Sequence, residues 1–444
     1  MRVLLIAANQ GITTVTPAPP IGLLYLASSL QKGGHEAYLL DLMFEPDLEN
    51  SVAGAIDLSR PDLIGISIRN IDNLNALDPQ CYLPIARQIV QVCRALSGAP
   101  LIIGGAGFSA APEGILRYLD VSQGIVGEGE EAIVQIADRL SAGASLHGVP
   151  GLVLLEGDRV SYNPPKLIME PDTLPFPSRD LLDPSYDTYP GLHFVPVHGI
   201  LSVRGCIFGC VQCHIPKVMG KCLRRRKPSL VVDEIEQMCS RTGEFYFLDS
   251  CFTADLDYVR AICREMLDRK INVGWHCASV LNDLPSDLIE LMMMSGCGAI
   301  DFDLPSLSNR MLKNFNLPPV VEKVKNTIRR CQEYGLLFTL GLIFGGPGEN
   351  RSTIQETHEA LLELDPFVVH CNIGVAMYPD TALARYAAEE GRSVDERNYW
   401  PVYYTSPETR TAMDLIYSIA YDHPTWLFNG ISPLSDTSPG QKSG

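Results

Sequence analysis

Apolar and polar positions follow two periods along this chain, and the periods alternate. From residue 1 to about 145, short apolar runs at Arg2–Ala8, Ala37–Asp41, Leu63–Ile68, Leu101–Gly104 and Gly124–Val126 read as strands. Between them, Pro20–Lys32, Tyr82–Leu96 and Glu130–Leu140 carry helical spacing, the first closed by Gly33-Gly34. Strands alternating with helices imply a parallel sheet covered on both faces, with ligands bound at the carboxyl ends of the strands.

The pattern then breaks. Leu152–Leu155, Gly157-Asp158 and Val160–Tyr162 predict a hairpin, and seven prolines between Pro164 and Pro190 deny any long helix. Residues 146–194 therefore read as an extended linker. From 195 to about 390 the alternation resumes in six strand-then-helix units. The strands are Val197–Val203, Phe245–Leu248, Asn272–Ala278, Ala299–Leu304, Leu336–Phe344 and Phe367–Val375. The helices include Leu230–Cys239, Asp257–Arg269, Asp287–Met294, Val320–Tyr334 and Ile354–Leu364. Six units are too few for a closed eight-stranded barrel, so an open, partial barrel is expected. Residues 391–430 form a small tyrosine-rich appendage, and the Ser/Pro/Gly-rich stretch 431–444 reads as a disordered tail.

Composition narrows the function. At 444 residues with 46% apolar and 20% charged positions, the chain is a folded protein of two or three domains. Lys plus Arg number 35 against 52 Asp plus Glu, a formal charge of -17, which disfavours nucleic acid as a partner. The first apolar run is too short for a signal peptide, and no window approaches the roughly 20 apolar residues of a membrane helix. A cytoplasmic protein without an integral membrane segment is expected. In that reducing setting the 13 cysteines, an odd number, do not form a disulfide framework.

Three cysteines are not scattered. After the first strand of the second half comes Arg204-Gly205-Cys206-Ile207-Phe208-Gly209-Cys210-Val211-Gln212-Cys213, with C-x3-C-x2-C spacing. Three thiolates on one tight loop suit three irons of a cubic 4Fe–4S cluster and leave the fourth iron open. Gly205 and Gly209 let the backbone curl close to the sulfides. Tetrahedral zinc is the rival, but no second C-x2-C lies nearby, and His214 is awkwardly adjacent to Cys213. Three unliganded thiols are the plain alternative.

At these residues the sequence resembles the radical S-adenosylmethionine superfamily, whose open iron binds S-adenosylmethionine and whose cluster cleaves it to a 5′-deoxyadenosyl radical. The resemblance continues at successive strand ends and implies cofactor contacts there. Besides Phe208 and Gln212 in the loop, these are Asp249 and Ser250 after the second strand, and Asp303 and Ser306 after the fourth. Gly345, Gly346 and Glu349 stand in the glycine-rich fifth-strand motif Gly341–Glu349, and Met377 follows the sixth strand. Two positions depart from the family pattern: Gln212 replaces the usual aromatic before the third cysteine, and Asp301–Ser306 lacks the usual Glu-Ser pair.

The amino-terminal half narrows the resemblance to cobalamin-dependent radical S-adenosylmethionine enzymes, close to the class B methyltransferases. It implies an α/β chain: a Rossmann-like doubly wound cobalamin-binding domain (1–145) followed by a partial (β/α)6 TIM-type barrel (195–390). The stretches that carry it imply cobalamin contacts at Ile21 and Gly22, at Ser67, Arg69, Asn70, Ile71 and Asp72, at Gly104, Gly105, Gly107, Phe108 and Ser109, and at Gly127, Glu128, Gly129 and Glu130. Small residues let backbone approach a flat macrocycle. For Glu128 and Glu130 the alternative is an acidic helix N-terminus. The segment Asn9–Pro20 contains no His, whereas cobalamin mutases place a cobalt-ligating His in an Asp-x-His-x-x-Gly loop. Bound cobalamin is therefore expected base-off with no protein imidazole, and Arg69 is the candidate for its lower face, against a loop salt bridge as the alternative. The run Arg224-Arg225-Arg226-Lys227 reads as a solvated face before a helix.

The resemblance implies a methyltransferase that carries methyl from methylcobalamin to an unactivated carbon, consuming one S-adenosylmethionine for the methyl and one for the radical. The substrate is a small molecule, lipid or peptide, and the electron donor is of the flavodoxin or ferredoxin class. The alternatives are a cobalamin-dependent rearrangement, cyclisation or oxidation, and a cofactor-binding sensor without turnover. No side chain is singled out as catalytic.

Overall fold

The computed structural model describes residues 1–9, 17–189, 196–279, 283–366, 368–395, 397 and 400–431. The expected tail, apart from Ile431, and most of the segment Asn9–Pro20 lie outside them.

The first sheet holds β1 (Arg2–Ala7), β2 (Glu36–Asp41), β3 (Leu63–Ser67), β4 (Leu101–Gly104), β5 (Gln123–Ile125), β6 (Leu152–Glu156) and β7 (Arg159–Tyr162) in the order β2-β1-β3-β4-β5-β6-β7. The first five strands run parallel. Alternation along β1 shows why both faces are covered. Leu4 and Ile6 enter one core with Leu83 and Ile89 of the helix Leu83–Leu96, whereas Val3 and Leu5 enter another with Leu23, Leu30, Ile133 and Ile136. The chain leaves β1 for β2 on one side and takes up β3 on the other, and that switch point opens a crevice at the strand ends.

The first domain differs from expectation in its helices and in its sheet edge. The helix Leu48–Ser59 was passed over, although Asp47 caps it by accepting from the Asn50 N–H at 3.1 Å. The expected hairpin exists but is not a free part of a linker. β6 pairs antiparallel with β5 and β7 with β6, so the first sheet continues to Tyr162. A parallel edge at β5 would otherwise stand unpaired.

The second sheet is the partial barrel. All six expected strands are present, as Gly199–Ile200, Glu244–Phe247, Gly274–Ser279, Cys297–Asp303, Leu337–Phe344 and Val368–Ile373, every neighbouring pair parallel. Among the described residues a seventh short strand, Leu427–Phe428, joins the sixth through the pairs His370↔Leu427 and Cys371↔Phe428. The appendage thus closes an edge of the barrel. Phe245, Phe247, Ile300, Phe302, Phe338, Leu340, Leu342 and Phe344 point outward into a core under the helices. Some of the alternate residues are polar and meet one another: Tyr246 and Thr339 both donate to Asp301, at 2.7 and 2.6 Å.

Two glycines test the packing of the first sheet. A Cβ at Gly124 would run into the Phe108 ring, whereas Gly54, inside the helix Leu48–Ser59, faces open space. Gly124→Val should destabilise the protein by about 1–3 kcal/mol through overpacking. Gly54→Ala should stabilise it by about 0.5–1 kcal/mol through helix propensity. Urea unfolding midpoints that move together, or in the opposite order, would contradict this packing.

Candidate functional site

The cysteine loop rises from the end of the first barrel strand. Gly205 has φ +92, and a Cβ there would run into the Cys222 carbonyl oxygen, so only glycine makes this turn into Cys206. The loop is held from outside itself. Val211 N–H donates to the Phe315 carbonyl at 3.2 Å, Leu383 N–H to the Val211 carbonyl at 2.9 Å, and Asn316 Nδ2 to the Gly209 carbonyl at 2.8 Å. All three thiols are free, with Cys206 buried and Cys210 and Cys213 half-buried. Burial, with the neighbouring Cys213 and Cys206, pushes the Cys210 thiol up to about 12. The three sulfurs therefore sense one another in a partly dry place, and bound iron would compensate their charge as thiolates. His214 packs edge-on against Tyr378 with ring centroids 4.9 Å apart. Phe208 packs against the barrel core, while the side-chain oxygen of Gln212 is buried without a partner. An amino group of a bound cosubstrate would satisfy that oxygen.

The strand-end residues divide into available and already employed. Asp249 is employed: it accepts from the N–H groups of Ser202 and Val203 at 2.7 and 2.8 Å and from the Ser202 hydroxyl, clamping the end of the first barrel strand. Burial raises it to about 6 despite these bonds. Ser306 is buried and bonded to Thr357 at 2.9 Å and to the Ser308 N–H at 3.1 Å, which turns it away from the barrel mouth. Glu349 is buried beneath its own loop, accepting from the Gly345 N–H and from Thr409 at 3.3 Å, and burial pushes its carboxyl up to about 8. Gly345 has φ +104, and a Cβ on Gly346 would strike the Phe315 ring. The fifth-strand motif is thus a self-supporting turn. Met377 is buried and spends its N–H on the Val402 carbonyl at 2.8 Å. Ser250 and Asp303 remain exposed, and burial of the surrounding strand end raises the Asp303 carboxyl to about 6, with help from Asp301.

At the ends of β1, β3, β4 and β5 lies a cavity of about 440 Å³. Ile21, Gly22, Ser67, Arg69, Gly104, Gly105, Ser109, Gly127, Glu128, Gly129 and Glu130 line it, as expected from sequence. Asn70, Ile71, Asp72, Gly107 and Phe108 do not. Phe108 is fully buried in the sheet core, and Gly107 packs on the backbone of Ile68 and Arg69. Asp72 turns toward the barrel's sixth-strand loop, where burial raises its carboxyl. Sequence reading missed the far wall, made by Arg179, Leu201, Arg204, Val218, Met219 and Leu248 of the linker and barrel. It also missed the depth: Leu5, Ile102 and Ile125 on the sheet and Leu23, Leu26 and Ile133 on its helices form an apolar slot behind the mouth. A flat macrocycle at the glycine-rich mouth fits these walls. Arg69 is open to the cavity and has no carboxylate partner among the described residues, contrary to the salt-bridge alternative.

The basic run is not a solvated face. Arg224 and Arg226 are buried, while Arg225 pairs with Asp255 at 2.7 Å on the surface side. Arg224–Arg225 is a strand of period two, not a helix face, so alternate residues turn inward. Arg226 reaches Glu234 at 2.5 Å and Arg224 reaches Glu128 at 2.6 Å. Glu128 and Glu130 are therefore already paired with arginines, although they border the cavity.

Among known proteins, residues 200–361 match the radical SAM superfamily and residues 11–137 the B12 binding domain. An uncharacterised methyltransferase of Pyrococcus horikoshii is 28% identical over 377 residues, 84% of this chain and 79% of that protein. The tryptophan 2-C-methyltransferase of Streptomyces laurentii is 25% identical over 439 residues, 84% of this chain and 73% of that protein. The structure of TsrM, a radical S-adenosylmethionine methyltransferase from Kitasatospora setae with cobalamin and a 4Fe–4S cluster bound, shares this fold. Its TM-score is 0.84 at 21% identity, covering 96% of this chain and 92% of that one. No helix among the described residues is long and apolar enough to cross a membrane. With two domain matches in this order on a fold shared almost end to end, the chain belongs to the cobalamin-dependent radical S-adenosylmethionine enzymes.

Proposed function

We propose that this protein methylates an unactivated carbon of a small organic substrate. The observation that carries the reading is one cavity walled on one side by the first domain's strand ends and on the other by barrel residues next to the cysteine loop. Cofactors held on either side of such a wall act on the same substrate without crossing solvent. The named relatives support methyl transfer over other outcomes, since the tryptophan and cytidylyl-2-hydroxyethylphosphonate enzymes are both methyltransferases acting on small molecules.

When bound, the cluster supplies the electron that cleaves S-adenosylmethionine and cobalamin supplies the methyl group. The chain's own residues do the rest. Cys206, Cys210 and Cys213 hold the cluster, and the Asn316 and Leu383 contacts keep their loop in place. Gln212 and Ser250 are the contacts left open to the cosubstrate beside it. Asp303, at the inner mouth of the barrel, offers a carboxylate above about pH 6 and a hydrogen-bond donor below it. Gly104, Gly105 and Gly127 let backbone approach the corrin, and Ser109 braces two of these loops by accepting from the Gly127 N–H at 3.1 Å. Arg69, facing the cavity without a carboxylate partner among the described residues, would offer a cation to cobalamin held there, where no described imidazole lines the wall. The absence of any histidine from the cavity's described lining supports base-off binding without a protein imidazole. A cytoplasmic setting with a flavodoxin- or ferredoxin-class electron donor completes the reading.

Changing Cys206, Cys210 or Cys213 to Ala should abolish a stable cluster, whereas Cys239→Ala should keep it. Iron and sulfide analysis after anaerobic reconstitution checks this, and full occupancy in all three loop variants would refute the ligand assignment. Bound cob(II)alamin should show no nitrogen superhyperfine splitting in its paramagnetic resonance spectrum, and Arg69→Lys should alter that spectrum while retaining the cofactor. A nitrogen-split signal would overturn the base-off placement. With reductant and substrate, 5′-deoxyadenosine and S-adenosylhomocysteine should form in comparable amounts, with one methyl gained per product. Deoxyadenosine alone would replace methyl transfer by rearrangement or cyclisation, and neither product, with both cofactors bound, would favour a sensor.

A further inference from the structure

All three cysteines lie in one excursion of the chain, residues 205–223. Its two ends are paired strand residues, for Arg204 and Arg224 stand opposite each other in antiparallel register. Both side chains are buried, 6% and 2% exposed, and both reach across to the first domain. Arg224 donates to the two oxygens of Glu128 at 2.6 and 2.8 Å and to the Met219 carbonyl at 2.6 Å. Arg204 pairs with Glu130 at 2.5 Å and with Glu128 at 3.4 Å. Glu128 also accepts from the Ile168 N–H at 2.7 Å.

Two guanidinium groups at neighbouring ladder positions repel strongly where water is excluded, so the ribbon stays closed only with the two carboxylates in place. Those carboxylates belong to the Gly127–Glu130 segment that lines the cobalamin cavity, and Val218 and Met219 of the cysteine excursion line the same cavity. The base of one cofactor's loop and the wall of the other cofactor's cavity thus share a single set of ion pairs.

We propose that Arg204 and Arg224 are positioning residues that couple the two cofactor sites, so that filling the cobalamin cavity firms the cluster loop and a loaded cluster tightens cobalamin binding. The inference rests on the cofactor assignment above and extends it from occupancy to coupling. Arg204 also borders the cavity and Arg224 does not, but each acts on the coupling through the carboxylate it holds. Because the coupling is a difference in binding free energy, it is reciprocal, and either cofactor reports it.

Hydroxocobalamin affinity should be measured by absorbance titration of the reconstituted full chain and of the Cys206→Ala/Cys210→Ala/Cys213→Ala chain without a cluster. Binding should be at least about fivefold tighter with the cluster, and that gain should fall below about twofold in Arg204→Gln and in Glu130→Gln. Hydrogen exchange on the cluster-free native sequence gives a second readout that does not depend on the variants folding. Adding hydroxocobalamin should slow exchange across residues 205–223. Equal affinities with and without the cluster, a gain that persists in both variants, or unchanged exchange in that segment would overturn the coupling. Failure of every form to bind hydroxocobalamin would overturn the cofactor assignment as well, which separates the two failures.

Discussion

The arrangement depends on four charges buried between the two domains. Arg204, Arg224, Glu128 and Glu130 balance one another with side chains 2–7% exposed. Removing one partner of such a set leaves an uncompensated charge in a dry place, at a cost of about 3–5 kcal/mol. The set therefore holds the domains in one relative position. Because its members border the cavity and the base of the cysteine loop, that position is also the one in which both cofactor sites form. A second set, Arg179 and Arg226 on Glu234 with the Tyr25 hydroxyl nearby, joins the linker and the first helix to the barrel. A loop contact across the other side, Asn429 Nδ2 on the Asn73 carbonyl at 3.2 Å, limits rotation about these pairs.

Once the domains are held, burial decides what each polar side chain does. Asp249 and Glu349 stand at strand ends where a cosubstrate would lie, yet Asp249 is filled by backbone N–H groups, and Glu349 spends one oxygen on the Gly345 N–H while its other oxygen is buried without a partner. A buried carboxylate must find donors, and the nearest are those of the turn it supports. Both carboxylates brace the turns that shape the site. Arg69, on the cavity wall, and Asp303, at the end of the fourth barrel strand, are the converse, exposed charged side chains without partners among the described residues. Partners for such groups are supplied by what enters the site.

Much of this was legible in the chain. Six barrel strands and five first-domain strands follow from apolar runs of strand length, because a strand buried on both faces needs an unbroken run and little else. The cysteine loop follows from spacing, because ligand chemistry demands residues close along the chain. The crevice at the first domain's strand ends follows from topology, and eleven residues expected there do line the cavity. What was missed had weaker local signals. The hairpin's pairing with β5 and the seventh barrel strand both answer an unpaired sheet edge, which is a property of the assembled sheet and of no single segment.

The arginine run marks the boundary between the two kinds of knowledge. Arg224-Arg225-Arg226-Lys227 carries no apolar residue, and composition alone assigns it to water. Only the fold shows that two of the four point inward, because the carboxylates that neutralise them, Glu128 and Glu234, lie 96 and 8 residues away. By itself the sequence determined the element types, the cysteine spacing that suits a cluster and the order of the two domains, since periodicity and chelation act over a few residues. Which acids bind a cofactor and which bind arginine was decided by tertiary structure alone. A charge's role follows from the dielectric and the counter-charge around it, and both exist only after distant segments have packed.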